Sequence, residues 1–257
     1  MPTGLFVTLE GGEGSGKSTQ IRSIGDRLRR RNIPFKVVRE PGGTPFGDLL
    51  RQVLKFSPTP LTSEAELLLF NASRAQLVTE AIIPSLKRGE VVLCDRFTDS
   101  TLAYQGYGRG VPLKLVEAVN MAATGDIKPC LTVLLDISPE EGLKRQTTAG
   151  ERFEGGLQRQ SDIPPVHIEQ QGLLMDLPPN SVSKDQLRHG KDSTAASGRI
   201  DMAFHHRVYQ GYLALARQEP ERWLIIDAGL SSREVSHLIW QEIEPLLENI
   251  GLTKKAP

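Results

Sequence analysis

The chain has 257 residues, 39% of them hydrophobic, which is enough to bury one sizeable core and points to a single α/β domain with additions. Its 31 basic residues balance 31 acidic ones, so no net field favours nucleic acid polymers, acidic membranes or polybasic partners, and any anion has to be bound by local groups. No window approaches twenty apolar residues and no basic leader precedes the first apolar run, so a soluble, cytoplasmic protein with no membrane contact is expected.

Taken in chain order, short apolar runs at 5–9, 35–38, 91–94, 131–135 and 223–226 read as strands. Segments of helical period lie between them. Ile21, Ile24 and Leu28 share one face of a helix over about 17–31 whose other face is Arg-rich. Leu67, Phe70, Ala72, Ala75 and Leu77 mark a second helix ending near Pro84; Leu115, Val116 and Val119 mark a third; Leu238, Ile239, Ile243 and Leu246 mark the last. Strands separated by helices imply parallel pairing through right-handed crossovers, with ligands at the carboxyl ends of the strands. Cys94 and Cys130 fall inside apolar runs and read as small core residues rather than as a disulfide or metal pair. One stretch breaks the rhythm. From 155 to 198 the chain is rich in Gln, Ser, Asp and Pro with no sustained period, and it is read as a flexible polar insertion in which Leu173, Leu174 and Met175 could seed a short helix.

Directly after the first strand, residues 11–18 (GGEGSGKS) satisfy GxxxxGK[ST] and lead into the first helix. Glycines let consecutive backbone N–H groups turn inward around phosphate oxygens. The helix N-terminus adds partial positive charge, the lysine bridges β- and γ-phosphates, and the serine ligates Mg²⁺. Such a loop serves GTPases, transport ATPases, helicases and kinases alike, so further features have to choose. The third strand runs into Asp95 and Arg96, a carboxylate where a second strand of this architecture holds Mg²⁺ or its water; the less favoured alternative is a strand-terminal ion pair. No NKxD-type guanine signature is present.

With these residues in hand, the chain resembles the bacterial thymidylate kinases. The resemblance is carried by residues 9–20 (LEGGEGSGKSTQ), 39–44 (REPGGT), 68–76 (LLFNASRAQ) and 95–106 (DRFTDSTLAYQG), in that order, with Leu135-Asp136 and 226–228 (IDA) beyond them. It implies an α/β P-loop fold like that of nucleoside monophosphate kinases, three layers about a central parallel five-stranded sheet. It also implies phosphorylation of dTMP to dTDP by ATP with Mg²⁺, and a homodimer. Donor contacts would fall at Gly11, Gly12, Glu13, Gly14, Ser15, Gly16, Lys17, Ser18 and Thr19, and the metal at Ser18 and Asp95. Phe70 would stack on the thymine face, and Arg74, one helical turn on, would donate to a thymine carbonyl where a cytosine amino group would be rejected. Thr101 and Gln105 would line the base pocket. Tyr104 would sit against the sugar and Glu13 near the 3′-hydroxyl. Arg51 and Arg96 would take the acceptor phosphate, with Arg39 and Pro41 in the loop that shapes the pocket. Read alone, Phe70 has ordinary core packing as its alternative, and Arg74 and Arg51 have that of a solvated helix-surface charge.

The resemblance also implies a mobile lid over about 138–154, whose arginines close on the transferring group and which ends in a pattern like Asp-Arg-Phe-Glu. This chain has ERFE at 151–154, then some forty residues beyond the family's usual few. The kinase core is thus 1–154 and 199–257, the insertion 155–198. Arg145 and Arg152 are the lid candidates, and catalysis is assigned to Lys17, Asp95, Arg96 and Arg152. Arg199, in a stretch that imitates the lid's end, is the alternative to Arg152. His205 and His206 open a helix as packing or surface residues. Two other readings stay open: another deoxynucleoside or nucleotide kinase, and a nucleotide-binding protein whose catalysis the enlarged lid impairs.

Overall fold

The computed structural model describes residues 4–154 and 201–252; the expected insertion 155–198 and Arg199 lie outside them. Five parallel strands form the sheet among the described residues: β1 (Leu5–Glu10), β2 (Phe35–Arg39), β3 (Val91–Asp95), β4 (Leu131–Asp136) and β5 (Trp223–Asp227), in the order β2-β3-β1-β4-β5. The five apolar runs are these strands, each prolonged by the one polar or charged residue that reaches the sheet's carboxyl edge.

The runs are continuous because both faces of the sheet are buried. Leu5, Val7 and Leu9 of β1, with Val91 and Leu93 of β3, face a core shared with α1 (Lys17–Arg30) and the last helix, α9 (Ser232–Asn249). Phe6, Val92 and Cys94 face the opposite way, onto Leu77, Val78, Ile82 and Leu86. That second layer begins with α2 (Pro45–Phe56), capped by Thr44, and α3 (Ser63–Leu77), capped by Thr62. It continues with α6 (Leu113–Thr124), and with α8 (Met202–Gln218) packed by Val208, Tyr212 and Leu215 around Ala103 and Leu134.

Two expectations are corrected. The second helix does not end near Pro84: a π-helical turn (Val78–Ile82) joins α3 to α4 (Ile83–Lys87), so the proline sits in the first turn after the hydrogen-bond ladder has shifted, where its missing N–H is tolerated. Cys130 is exposed. It precedes β4, its backbone N–H bonding Phe6 O at 2.8 Å while its thiol leaves the core that Cys94 occupies.

Chain order places the site. β1 is flanked by β3 and β4, so the loop after β1 faces the ends of both, and Leu9 lies in register with Asp95. After β3 come the short α5 (Thr98–Thr101) and a π-helical segment (Leu102–Gly108); after β4 comes α7 (Pro139–Glu154). All of these open onto the carboxyl edge of the sheet, where ligands gather in open α/β folds.

Candidate active site

At the head of α1, Gly16 occupies the N-cap with φ 95°, no side chain caps the helix, and its first turn has no acidic residue. The leading amides are therefore left for an external anion. The loop is also wedged against α7. A Cβ on Gly14 would come within 1.9 Å of Gly142 O, and one on Gly142 within 2.3 Å of Glu13 O, so two glycines set this approach. Gly142 carried no sequence signal, because only the packing of α7 demands it.

Lys17 curls back over the loop, its Nζ donating to Gly11 O (3.0 Å), Gly12 O (2.8 Å) and Ser15 Oγ (3.1 Å). Burial, with Arg96 adding repulsion, pushes its pKa down to about 8. Ser18 Oγ donates to Asp95 Oδ2 at 3.1 Å, so the helix head and the end of β3 share a hydroxyl–carboxylate oxygen pair. Among the described residues no three His, Cys, Asp or Glu side chains gather as a metal cage. A pair of hard oxygens suits Mg²⁺, which retains waters and phosphate oxygens as its remaining ligands.

One cavity of about 680 Å³ joins this end to a second. It is lined by Glu13, Gly14, Ser15, Gly16, Lys17, Ser18, Thr19 and Asp95 on one side, and by Arg39, Pro41, Arg51, Phe70, Arg74, Arg96, Thr101, Tyr104 and Gln105 on the other. Every site residue expected from the sequence lines it except Gly11 and Gly12, whose carbonyls accept from Lys17, the lid candidate Arg145, and Arg152, whose side chain lies outside the described residues. Glu40, from the loop expected to shape the pocket, lines it too, as do Leu54, Lys55, Ser100 and Gln146, to which sequence reasoning assigned no role there.

The second end is cationic. Arg96 stands in the left-handed region at φ 72°, its N–H bonded to Leu9 O and its carbonyl accepting from the Cys94 thiol. Its guanidinium lies 4.9 Å over the Tyr104 ring and donates to Glu13 Oε1 at 3.1 Å. Glu13 also accepts from Tyr104 OH; although burial works the other way, Arg96 and Lys17 hold its carboxyl below the usual carboxylate range. Burial, opposed by Arg96 and helped by Glu13, pushes the Tyr104 hydroxyl up to about 12, so it remains a donor. Arg51 Nη1 donates to Pro41 O at 2.9 Å, which aims a residue of α2 into the cavity.

Phe70 is half-buried with a surface on the cavity, unlike a core residue. Arg74 is 1% exposed, unlike a surface charge, and its five N–H groups are already engaged. Nε and Nη2 grip the Glu40 carboxylate (2.8 and 2.6 Å), Nη2 also meets Thr101 Oγ1 (2.7 Å) and Phe97 O, and Nη1 bonds the side-chain oxygens of Asn71 and Asn120 (3.0 and 2.7 Å). A contact from Arg74 to a base would have to share one of these donors. Arg145 turns away from the cavity, donating to Ala228 O at 2.8 Å and pairing with Glu141, while its neighbour Gln146 lines the wall. His206 pairs with Glu140 of α7 on the surface.

A family model described as thymidylate kinase matches residues 9–168. The chain belongs to that family. It is 42% identical to a thymidylate kinase of Synechococcus sp. (strain JA-3-3Ab) over 243 residues, 95% of this chain and 97% of that one. It is 40% identical to one of Deinococcus radiodurans over 243 residues, 95% and 98% of the two chains. The crystal structure of a thymidylate kinase from Ehrlichia chaffeensis superposes with a TM-score of 0.62 at 27% identity, covering 95% of this chain and 98% of that one. The matched residues include the loop after β1 and the block after β3, which line the two ends of the cavity. Sequence reasoning missed what lies beneath them: Glu10, Ser100 and Tyr212 form a buried hydrogen-bonded cluster under Arg96. A glutamate closing an otherwise apolar strand was its only visible trace.

Proposed function

We propose that the protein transfers the γ-phosphoryl group of ATP to thymidine monophosphate, giving ADP and the diphosphate. The observation that carries this reading is the single cavity with a phosphate loop at one end and a half-buried phenylalanine, with four arginines, at the other. Membership of the thymidylate kinase family supports it.

The loop amides and Lys17 take the donor phosphates. Ser18 and Asp95 would hold Mg²⁺, which when bound draws negative charge off the phosphoryl oxygens. Arg51 and Arg96, with Arg39 at the rim, take the acceptor phosphate. The acceptor oxygen is already anionic and needs no strong base, so positioning and charge neutralisation carry the rate. The base lies on the ring of Phe70 between Thr101 and Gln105, the sugar lies against Tyr104, and Glu13 meets the 3′-hydroxyl. Arg74 would read a thymine carbonyl by sharing a donor with its protein partners. Arg152 would close from the lid end. Both substrates are cytoplasmic metabolites, and among the described residues no helix is long and apolar enough to cross a membrane.

A coupled ADP-release assay over the nucleoside monophosphates and thymidine tests this, run with the whole chain and with 155–198 deleted. Thymidine monophosphate is expected to be preferred by both forms. Rapid turnover of thymidine with none of its monophosphate, or no ADP release with any acceptor, overturns the reading.

A homodimer is also proposed. α2 leaves Phe46, Leu49, Val53 and Phe56 exposed at 46–77%, Leu68 of the adjoining α3 is 58% exposed, and Met121 of α6, packed on α3, is 60% exposed. Large apolar residues on three neighbouring helices suit a self-complementary interface. Leu49→Asp with Phe56→Asp is expected to convert a dimer to a monomer in sedimentation velocity. An unchanged sedimentation coefficient assigns the interface elsewhere.

A further inference from the structure

Under the cavity floor lies a carboxylate that touches no expected phosphate position. Glu10, the last residue of β1, is 0% exposed. Its Oε1 accepts the Phe97 N–H at 2.7 Å, and its Oε2 accepts the Ser100 hydroxyl at 2.6 Å and the Tyr212 hydroxyl at 2.9 Å. The same two hydroxyl oxygens are 2.8 Å apart, and each accepts from Nη1 of Arg96, at 3.3 Å from Ser100 and 3.2 Å from Tyr212.

Hydrogen counting gives this cluster a direction. Each hydroxyl carries one hydrogen, an ionised carboxylate only accepts, and a guanidinium only donates. Ser100 gives its hydrogen to Glu10, and Tyr212 gives its own to Glu10 or to Ser100. Either way no hydroxyl hydrogen points at Arg96, and lone pairs of both oxygens face Nη1. The Phe97 amide caught by Oε1 is the one directly after Arg96, so the same carboxylate also fastens the left-handed backbone from which that arginine projects.

We propose that Glu10 is a positioning residue for the acceptor phosphate, aiming the Arg96 guanidinium into the cavity through Ser100 and Tyr212 and fixing its backbone through the Phe97 amide. This rests on the assignment of Arg96 to the acceptor phosphate made above. Tyr212 becomes the route by which α8, more than a hundred positions beyond β3, supports that cation.

Glu10→Gln separates this role from simple packing. The amide has nearly the carboxylate's shape, and because its oxygen is needed by the Phe97 N–H, its NH₂ falls where Oε2 stood. It then donates to the two hydroxyls, and since only one of them can pass its hydrogen to the other, at least one hydroxyl hydrogen is driven toward Arg96. Burial, with Asp99 close by, pushes Glu10 up to about 7, so assays above that value compare an ionised carboxylate with the amide.

The expected result is a folded enzyme whose kcat/KM for thymidine monophosphate falls about a hundredfold, the scale of an ångström-level misplacement. KM for ATP should change by less than about threefold, because the donor contacts are untouched. In an Arg96→Ala background Glu10→Gln should add less than about twofold, since residues acting through one another are not additive. Equal losses in both backgrounds, or unchanged acceptor kinetics in the single variant, overturn the proposal. If Glu10→Gln does not fold, Tyr212→Phe decides by the same reading: a loss of about tenfold confined to the acceptor and absent without Arg96 supports the role, and no loss removes it. Should Arg96→Ala itself leave acceptor kinetics unchanged, the assignment of Arg96 fails first and this proposal falls with it.

Discussion

Lys17→Met is expected to leave the circular dichroism spectrum unchanged and to lower kcat by about a thousandfold, the upper range for removing one preorganised charge from a transition state of this kind. The ammonium donates to Gly11 O, Gly12 O and Ser15 Oγ. Phosphate oxygens are better acceptors, so the bound donor draws Nζ off these partners at little reorganisation. Its pH dependence follows from burial. Because the Lys17 pKa falls to about 8 in the free protein, the charged form is lost as pH rises through that value, and kcat/KM for ATP should decline about tenfold per unit beyond it. Bound phosphates favour the ammonium, so the same limb in kcat should be displaced to higher pH. A variant within tenfold of wild-type kcat, or a flat profile across this range, contradicts the assignment.

The second large effect is on stability. Arg74→Met should cost about 3–5 kcal/mol, because it leaves the Glu40 carboxylate buried and unpaired. The ion pair is 1% and 3% exposed at 2.6 Å, and the lost guanidinium also strands acceptors on Asn71, Asn120 and Thr101. For a chain of this size that is a fall in melting temperature of about ten degrees. Replacing Glu40 by Met in the same molecule should recover much of the loss, since the pair fails together. A melting temperature within a degree or two of wild type, with only the preference for thymine altered, would make Arg74 a base reader and little else. In the fold, Arg74 also ties the end of β2, α3, the turn after β3 and α6 together around the cavity.

The sequence alone determined the strands, the phosphate loop and the helix behind it. Each is a local signal. Alternation and apolar runs follow from burial on one or two faces, and a phosphate loop needs its glycines, lysine and serine at set spacings.

Tertiary structure decided the rest. The order β2-β3-β1-β4-β5 brings Glu10 against Ser100, and only the return of α8 adds Tyr212. Arg74 finds Glu40, Thr101 and Asn120 on three other segments, so a residue expected at the base is also the buried centre of a network. The π turn before Pro84 and the outward thiol of Cys130 depend in the same way on neighbours the local pattern does not name. A buried polar group must find its partners wherever the fold places donors and acceptors, and no period or spacing along the chain records that choice.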